Sequence, residues 1–329
     1  MGTFNFLEAA LDVAKGRDSV WKQHARGILE THKGLHVDDV VAKLCLKVAA
    51  LSRVTGVSPE QLAAETVAFN AALYAWGRDG FPHFSLTPDF FHAVNNTDFG
   101  DPTDEPLYMP FDSFTVSFPP TPEFLGASKM FVYKLPRVMV VPLVEGAEST
   151  FQVEWGLYRV TLLTADPVFT QWTVGMTRRQ LVDEDSALNR TPADPGARPA
   201  EAHETPVLAK VRALLANVLS YVENAGPLPT VPRAKGAAPV AVELTHPQQR
   251  IYDVGRTVKL DARIRDAMTH SGSNKATWQV AQRFIVRGHW KSQPYGEGRA
   301  LRKRIWVEPF FKGPENVKEA LERNYEVSL

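Results

Sequence analysis

Cysteine is nearly absent: Cys45 is the only one among 329 residues. A lone thiol excludes an intramolecular disulfide and any zinc site built on paired thiolates. Long hydrophobic runs are missing as well, none approaching the roughly 20 apolar residues that a membrane-spanning helix needs. The opening M-G-T-F-N-F-L-E-A-A-L-D lacks the basic stretch that precedes the apolar part of a secretory signal. Together these absences lead us to expect a cytoplasmic protein. Neither G-x-G-x-x-G nor G-x-x-x-x-G-K-[ST] occurs, so no nucleotide cofactor is expected.

Positive charge is missing from one whole stretch. Between Arg78 and Lys129 there is no lysine or arginine, yet eight acids occur there, among them Asp98, Asp101, Asp104 and Glu105. From Arg250 to Leu329 the balance reverses, with sixteen basic residues against nine acidic ones. The net charge of zero therefore hides two opposed local fields. Either the two regions attract each other within the fold, or each meets a partner.

What is present is ordinary for a folded protein, with 44% hydrophobic and 22% charged residues. The 24 prolines should concentrate in connections, because proline lacks the backbone donor that helices and sheets use. Residues 1–80 read as helical. Apolar side chains recur at helical spacing over 4–15, over 20–30 and from Asp38, a candidate N-cap, to Leu51. The run S-P-E-Q-L that follows carries the start signal of a further helix, with Ser58, Pro59 and Gln61, and Gly77 can end it.

Residues 81–182 change texture. Aromatic, acidic and proline-punctuated sequence predicts loops and short elements, then alternating and β-branched runs from Phe111 to Thr164 predict a mainly antiparallel sheet. Residues 183–204 read as a flexible linker. The region 205–329 opens with a helix over 205–224, whose stripe of Leu208, Val211, Leu215, Val218, Leu219 and Val222 predicts burial. A short strand at 251–254, a helix near 257–269 and a C-terminal β-hairpin complete it, packed with the central sheet as one domain. The fold class is α+β.

The hairpin carries the candidate chemistry. F-I-V-R-G-H-W-K (284–291) and K-R-I-W-V-E (303–308) read as strands around a loop over 292–302. Strand alternation puts Arg287, His289 and Lys291 on one face and Phe284, Val286 and Trp290 on the other. In the second strand Arg302, Arg304 and Trp306 share a face. With Arg299 and Lys303 nearby, the expected result is one basic face around Trp306 and one apolar face anchored by Trp290. Three readings remain open. The arginines stack on tryptophan rings and His289 bonds to backbone, in a purely structural role. The face binds nucleic acid or another partner, with charge for affinity and rings for stacking. His289 is the acid–base catalyst of a metal-independent ribonuclease. His83 and His92 lie among acids, but their spacing matches no metal-ligand motif.

The run I-V-R-G-H-W-K, the glycine-bearing loop and the closing R-I-W-V-E-P resemble the C-terminal signature of a type V anti-CRISPR family carried by phages and other mobile elements. R-I-Y-D-V-G-R-T-V-K-L-D-A-R-I-R-D (250–266) resembles the family's stretch just upstream. L-L-A-N-V-L-S-Y-V-E-N (214–224) and M-P-F-D-S-F-T-V-S-F are similar to its apolar helix and central strand, in the same order. The resemblance implies a binding protein rather than an enzyme. Such a protein recognises the N-terminal peptide of a target as it leaves the ribosome and triggers loss of the translated message. On that reading the basic hairpin contacts RNA or the ribosome. Asp98, Asp101, Asp104 and Glu105 are the candidate surface for a cationic peptide.

Overall fold

The computed structural model describes residues 19–55, 67–97, 99, 108–142, 149–163, 170–174, 205–224, 250–270 and 284–312. The helix predicted over 4–15, the start signal at Ser58–Gln61 and the linker 183–204 lie outside the described residues. The chain divides into two compact units. One comprises residues 1–86 and 102–254, the other residues 87–101 and 255–329.

The first unit holds helices α1 (Ser19–Thr31), α2 (Val37–Thr55) and α3 (Ala68–Arg78) and a six-stranded sheet. Trp21 and Ala25 of α1 and Phe69, Leu73 and Trp76 of α3 meet Phe131 and Tyr133 of the sheet in one buried cluster. Each such large apolar side chain contributes roughly 1.5–3 kcal/mol on burial. Trp21 packs edge-on to both Phe69 and Phe131, the arrangement that aromatic quadrupoles favour. Cys45 is buried between α2 and α3 beside Val41, Val48 and Ala71. Burial pushes its thiol up to about 11, leaving it unreactive at neutral pH. The N-cap of α2 is His36 rather than Asp38. The His36 backbone N–H donates to Asp39 Oδ2 at 3.3 Å, so the acid that closes the capping box sits three residues on.

The strands of the sheet are β1 (His83–Leu86), β2 (Ser113–Ser117), β3 (Lys129–Pro142), β4 (Ser149–Leu163), β5 (Thr170–Val174) and β6 (Ile251–Val254). Their order is β5-β4-β3-β2-β1-β6. The four strands from β2 to β5 are antiparallel, β2 to β4 falling in the predicted runs and β5 lying beyond them. β1 pairs parallel with both β2 and β6. Phe84 of β1 and Tyr252 of β6 gather with Phe111, which precedes β2, and Phe84 and Tyr252 are stacked at 5.2 Å. Helix α5 (Thr205–Asn224) buries its predicted stripe and also Arg212, Asn217 and Ser220. Its Lys210 reaches Glu123 at 3.7 Å.

The second unit holds α4 (Pro88–Asn95), α6 (Ala262–His270) and two strand pairs. β7 (Phe284–Val286) pairs with β10 (Phe310–Lys312), and β8 (His289–Tyr295) pairs with β9 (Leu301–Val307), both antiparallel. α4 starts where Thr87 caps the Phe90 N–H and Pro88 takes the first helical position. The predicted first strand of the hairpin is therefore two strands. The chain breaks at Arg287–Gly288, and the two halves find different partners.

Candidate functional site

α4 is held on several sides by the segments that carry the sequence resemblance. Gly255 has φ +76, and a Cβ there would lie 2.1 Å from Phe90 Cγ, so only glycine lets the chain turn against that ring. The Thr87 hydroxyl donates to the Gly255 carbonyl at 3.1 Å. Asp89 accepts from the Leu260 N–H at 3.4 Å and from the Arg265 guanidinium. A His92 ring nitrogen lies 3.2 Å from the Arg265 carbonyl. Ala93, Leu260 and Met268 form the small core, with Ile264, Ile285 and Trp306 packed against it.

Gly288 and Trp306 fasten the hairpin to the same helix. A Cβ on Gly288 would stand 2.6 Å from Thr97 Oγ1 and 3.2 Å from Trp306 Nε1. The Trp306 indole N–H donates to Thr97 Oγ1 at 3.2 Å, and the Thr97 hydroxyl donates to the Ala93 carbonyl at 2.9 Å. Phe90 meets Trp306 edge-on at 5.6 Å. Arg304 lies over the rings of Phe99 at 4.5 Å and Trp290 at 5.2 Å, and donates to the Phe99 carbonyl at 2.6 Å.

The β8–β9 register corrects the expected faces. Trp290 opposes Trp306, Ser292 opposes Arg304 and Pro294 opposes Arg302, so these residues share one face. His289, Lys291, Gln293 and Tyr295 oppose Val307, Ile305, Lys303 and Leu301 on the other. The predicted basic face around Trp306 is thus split between two sides, and Trp290 is not grouped with Phe284 and Val286. The cause is the turn. Gly296, Gly298 and Arg299 all have positive φ, which closes the hairpin over 296–300 instead of the expected 292–302 and sets the pairing.

The predicted site residues consequently fall into two groups. Arg304 and Trp306 are half-buried at the base of the hairpin in the contacts just described. Arg287 and His289 are half-buried at the strand break, with His289 Nδ1 3.1 Å from the Arg287 carbonyl, the backbone bond of the structural reading. Lys291, Arg299, Arg302 and Lys303 are exposed, and form no ion pair among the described residues. Tyr295 and Leu301, exposed at 47% and 54%, sit beside them as a cross-strand pair that sequence reasoning missed. Thr97 and Phe99 were missed too, since nothing local marks them as partners of a distant strand. Asp98, Asp101, Asp104 and Glu105 lie outside the described residues.

The two candidate metal-ligand histidines are engaged elsewhere. His83 Nδ1 lies 2.8 Å from Thr115 Oγ1 and its Nε2 3.1 Å from Ser117 Oγ, while His92 meets the Arg265 carbonyl. Among the described residues no three acids, histidines or cysteines gather as a metal site. No helix among them is long and apolar enough to cross a membrane.

No curated protein matches this chain. Among solved structures, "Crystal structure of AcrVA2" is similar at 15% identity and a TM-score of 0.39, over 94% of this chain and 100% of that one. A family model described as "AcrVA2-like: Anti-CRISPR type V subtype A2 family" matches residues 84–311. That span runs from β1 to β10, taking in α4 and each segment that clamps it. It covers more than two thirds of the chain, and the protein belongs to the AcrVA2-like anti-CRISPR type V subtype A2 family.

Proposed function

We propose that this protein silences a target by recognising the target's N-terminal peptide during synthesis, so that the message under translation is lost. The observation that carries the reading is the family match across 84–311, which includes both the basic hairpin and the acid-rich stretch. Two physical features support it. Arg304 holds the Phe99 carbonyl at the hairpin base, and Asp101 follows Phe99 two residues later in the sequence. A carboxylate-rich segment suits a cationic peptide, and exposed lysines and arginines suit RNA phosphates. Both partners meet at a translating ribosome.

His289 works as a structural residue in this reading. The hydrogen bond of its ring is to the Arg287 carbonyl two residues before it, and Val307 stands opposite it. The test is sequencing of total and ribosome-bound mRNA with and without expression of the protein. One message should fall, and shifting the reading frame of its first codons while keeping the nucleotides should restore it. A transcriptome that does not change, or a loss that survives the frameshift, contradicts the proposal.

A further inference from the structure

We propose that the outer part of the β8–β9 ribbon is an RNA probe that inserts into a crevice of folded RNA, flanked by phosphates on both sides. The inference rests on the translational reading above for its RNA, and on the hairpin's own geometry for its mode of binding. Beyond the Trp290–Trp306 pair the ribbon continues to Tyr295 and Leu301, about 17 Å at the usual rise per strand residue. Cations leave that stretch in three directions. Lys291 and Lys303 project from one face, Arg302 from the other, and Arg299 from the turn. All four are exposed, and Glu297 is the only acid in the ribbon.

This distribution selects among anionic partners. A bilayer or a flat acidic protein surface presents charge on one side, and the ribbon that fits it is basic on one face and apolar or neutral on the other. A ribbon basic on both faces gains most where phosphates line both walls, as they do between backbones of folded RNA. The exposed Tyr295 ring at the tip adds a plane for base stacking. The Gly288, Thr97 and Trp306 contacts fix the base, so little ordering is needed on binding.

The experiment is filter binding of the full chain over a salt series. The ligands are a transcript of a folded ribosomal RNA domain, an unstructured single-stranded RNA, and vesicles rich in anionic lipid. Tight, salt-dependent binding to the folded transcript is expected, weaker binding to single strands, and little to vesicles. In the triple variant Lys291→Ala, Arg302→Ala, Lys303→Ala the log–log salt slope should become shallower by about three, one per lost phosphate contact. A melting curve matching the parent would show that the variant is folded. Equal affinity for single strands, preference for vesicles, or an unchanged slope in the triple variant overturns the proposal. Measuring message loss with the parent separates the two ideas: message loss in a protein whose triple variant keeps its full salt slope refutes the probe and leaves the silencing reading standing.

Discussion

The two ends of one hairpin are built for different ends. At its base, Gly288, Trp290, Arg304 and Trp306 are drawn into contacts with Thr97, Phe99 and Phe90. At its tip, Lys291, Tyr295, Leu301, Arg302 and Lys303 are exposed. Both ends are basic and aromatic, and composition alone assigns them one role. The difference teaches that a basic-aromatic signature mixes residues that hold a fold with residues left available to a partner. Only the register sorts them. The opposed charges show the same mixture: Asp89 binds Arg265, so part of the acidic and basic excess is satisfied inside the second unit.

The contrast breaks most visibly at the base. Trp306→Ala removes a half-buried indole from the core against α4, and should cost about 3 kcal/mol, the low end for truncating a core tryptophan. Urea unfolding that shifts by much less would remove Trp306 from the structural group. Next is Gly288→Ala, in which the new methyl meets the Thr97 hydroxyl, itself fixed by two hydrogen bonds. An overpacking cost of about 1–3 kcal/mol is expected. Adding Thr97→Ala should relieve part of that clash, so a double-mutant cycle that is simply additive would count against the contact. Thr97→Val alone keeps the shape and loses both hydrogen bonds, costing about 1–2 kcal/mol by thermal melting.

Much of the first unit was legible in the sequence. Helical periodicity located α1, α2 and α5, and the β-branched runs located β2 to β4, because those signals are local and repeat over many residues. β1 lying parallel between β2 and β6 was not legible, since pairing between short, distant strands leaves no periodic mark. α4 was missed inside what reads as loop, although Thr87-Pro88 is the same start signal that Thr205-Pro206 gives α5. In the hairpin the cations could be found by composition. Their faces could not, because a turn with positive φ at three positions decides which strand residue opposes which. Trp306 looked outward by alternation, and it is Thr97, far away in sequence, that draws its ring inward.

A pH titration sharpens the comparison by giving the first unit a signature of its own. His32 is buried, and desolvation, then the charges of Lys47 and Lys43, lower its pKa from 6.5. Its stabilising effect as a neutral ring is complete above that value. It is lost as pH falls, because the unfolded state then takes up the proton that the folded state resists. Unfolding midpoints should therefore decline below about pH 6.5, and less so in His32→Gln. An identical decline in that variant would assign the acid sensitivity elsewhere. The smallest stability effect belongs to the tip: the Lys291, Arg302 and Lys303 triple alanine variant should melt within roughly 0.5 kcal/mol of the parent.

That variant also supports the most direct measurement of the division between base and tip. Sedimentation of lysates through a sucrose gradient, from cells expressing either form, reports whether each travels with polysomes. We expect the parent in polysome fractions and the folded tip variant near the top of the gradient. A tip variant that still sediments with polysomes would contradict the account.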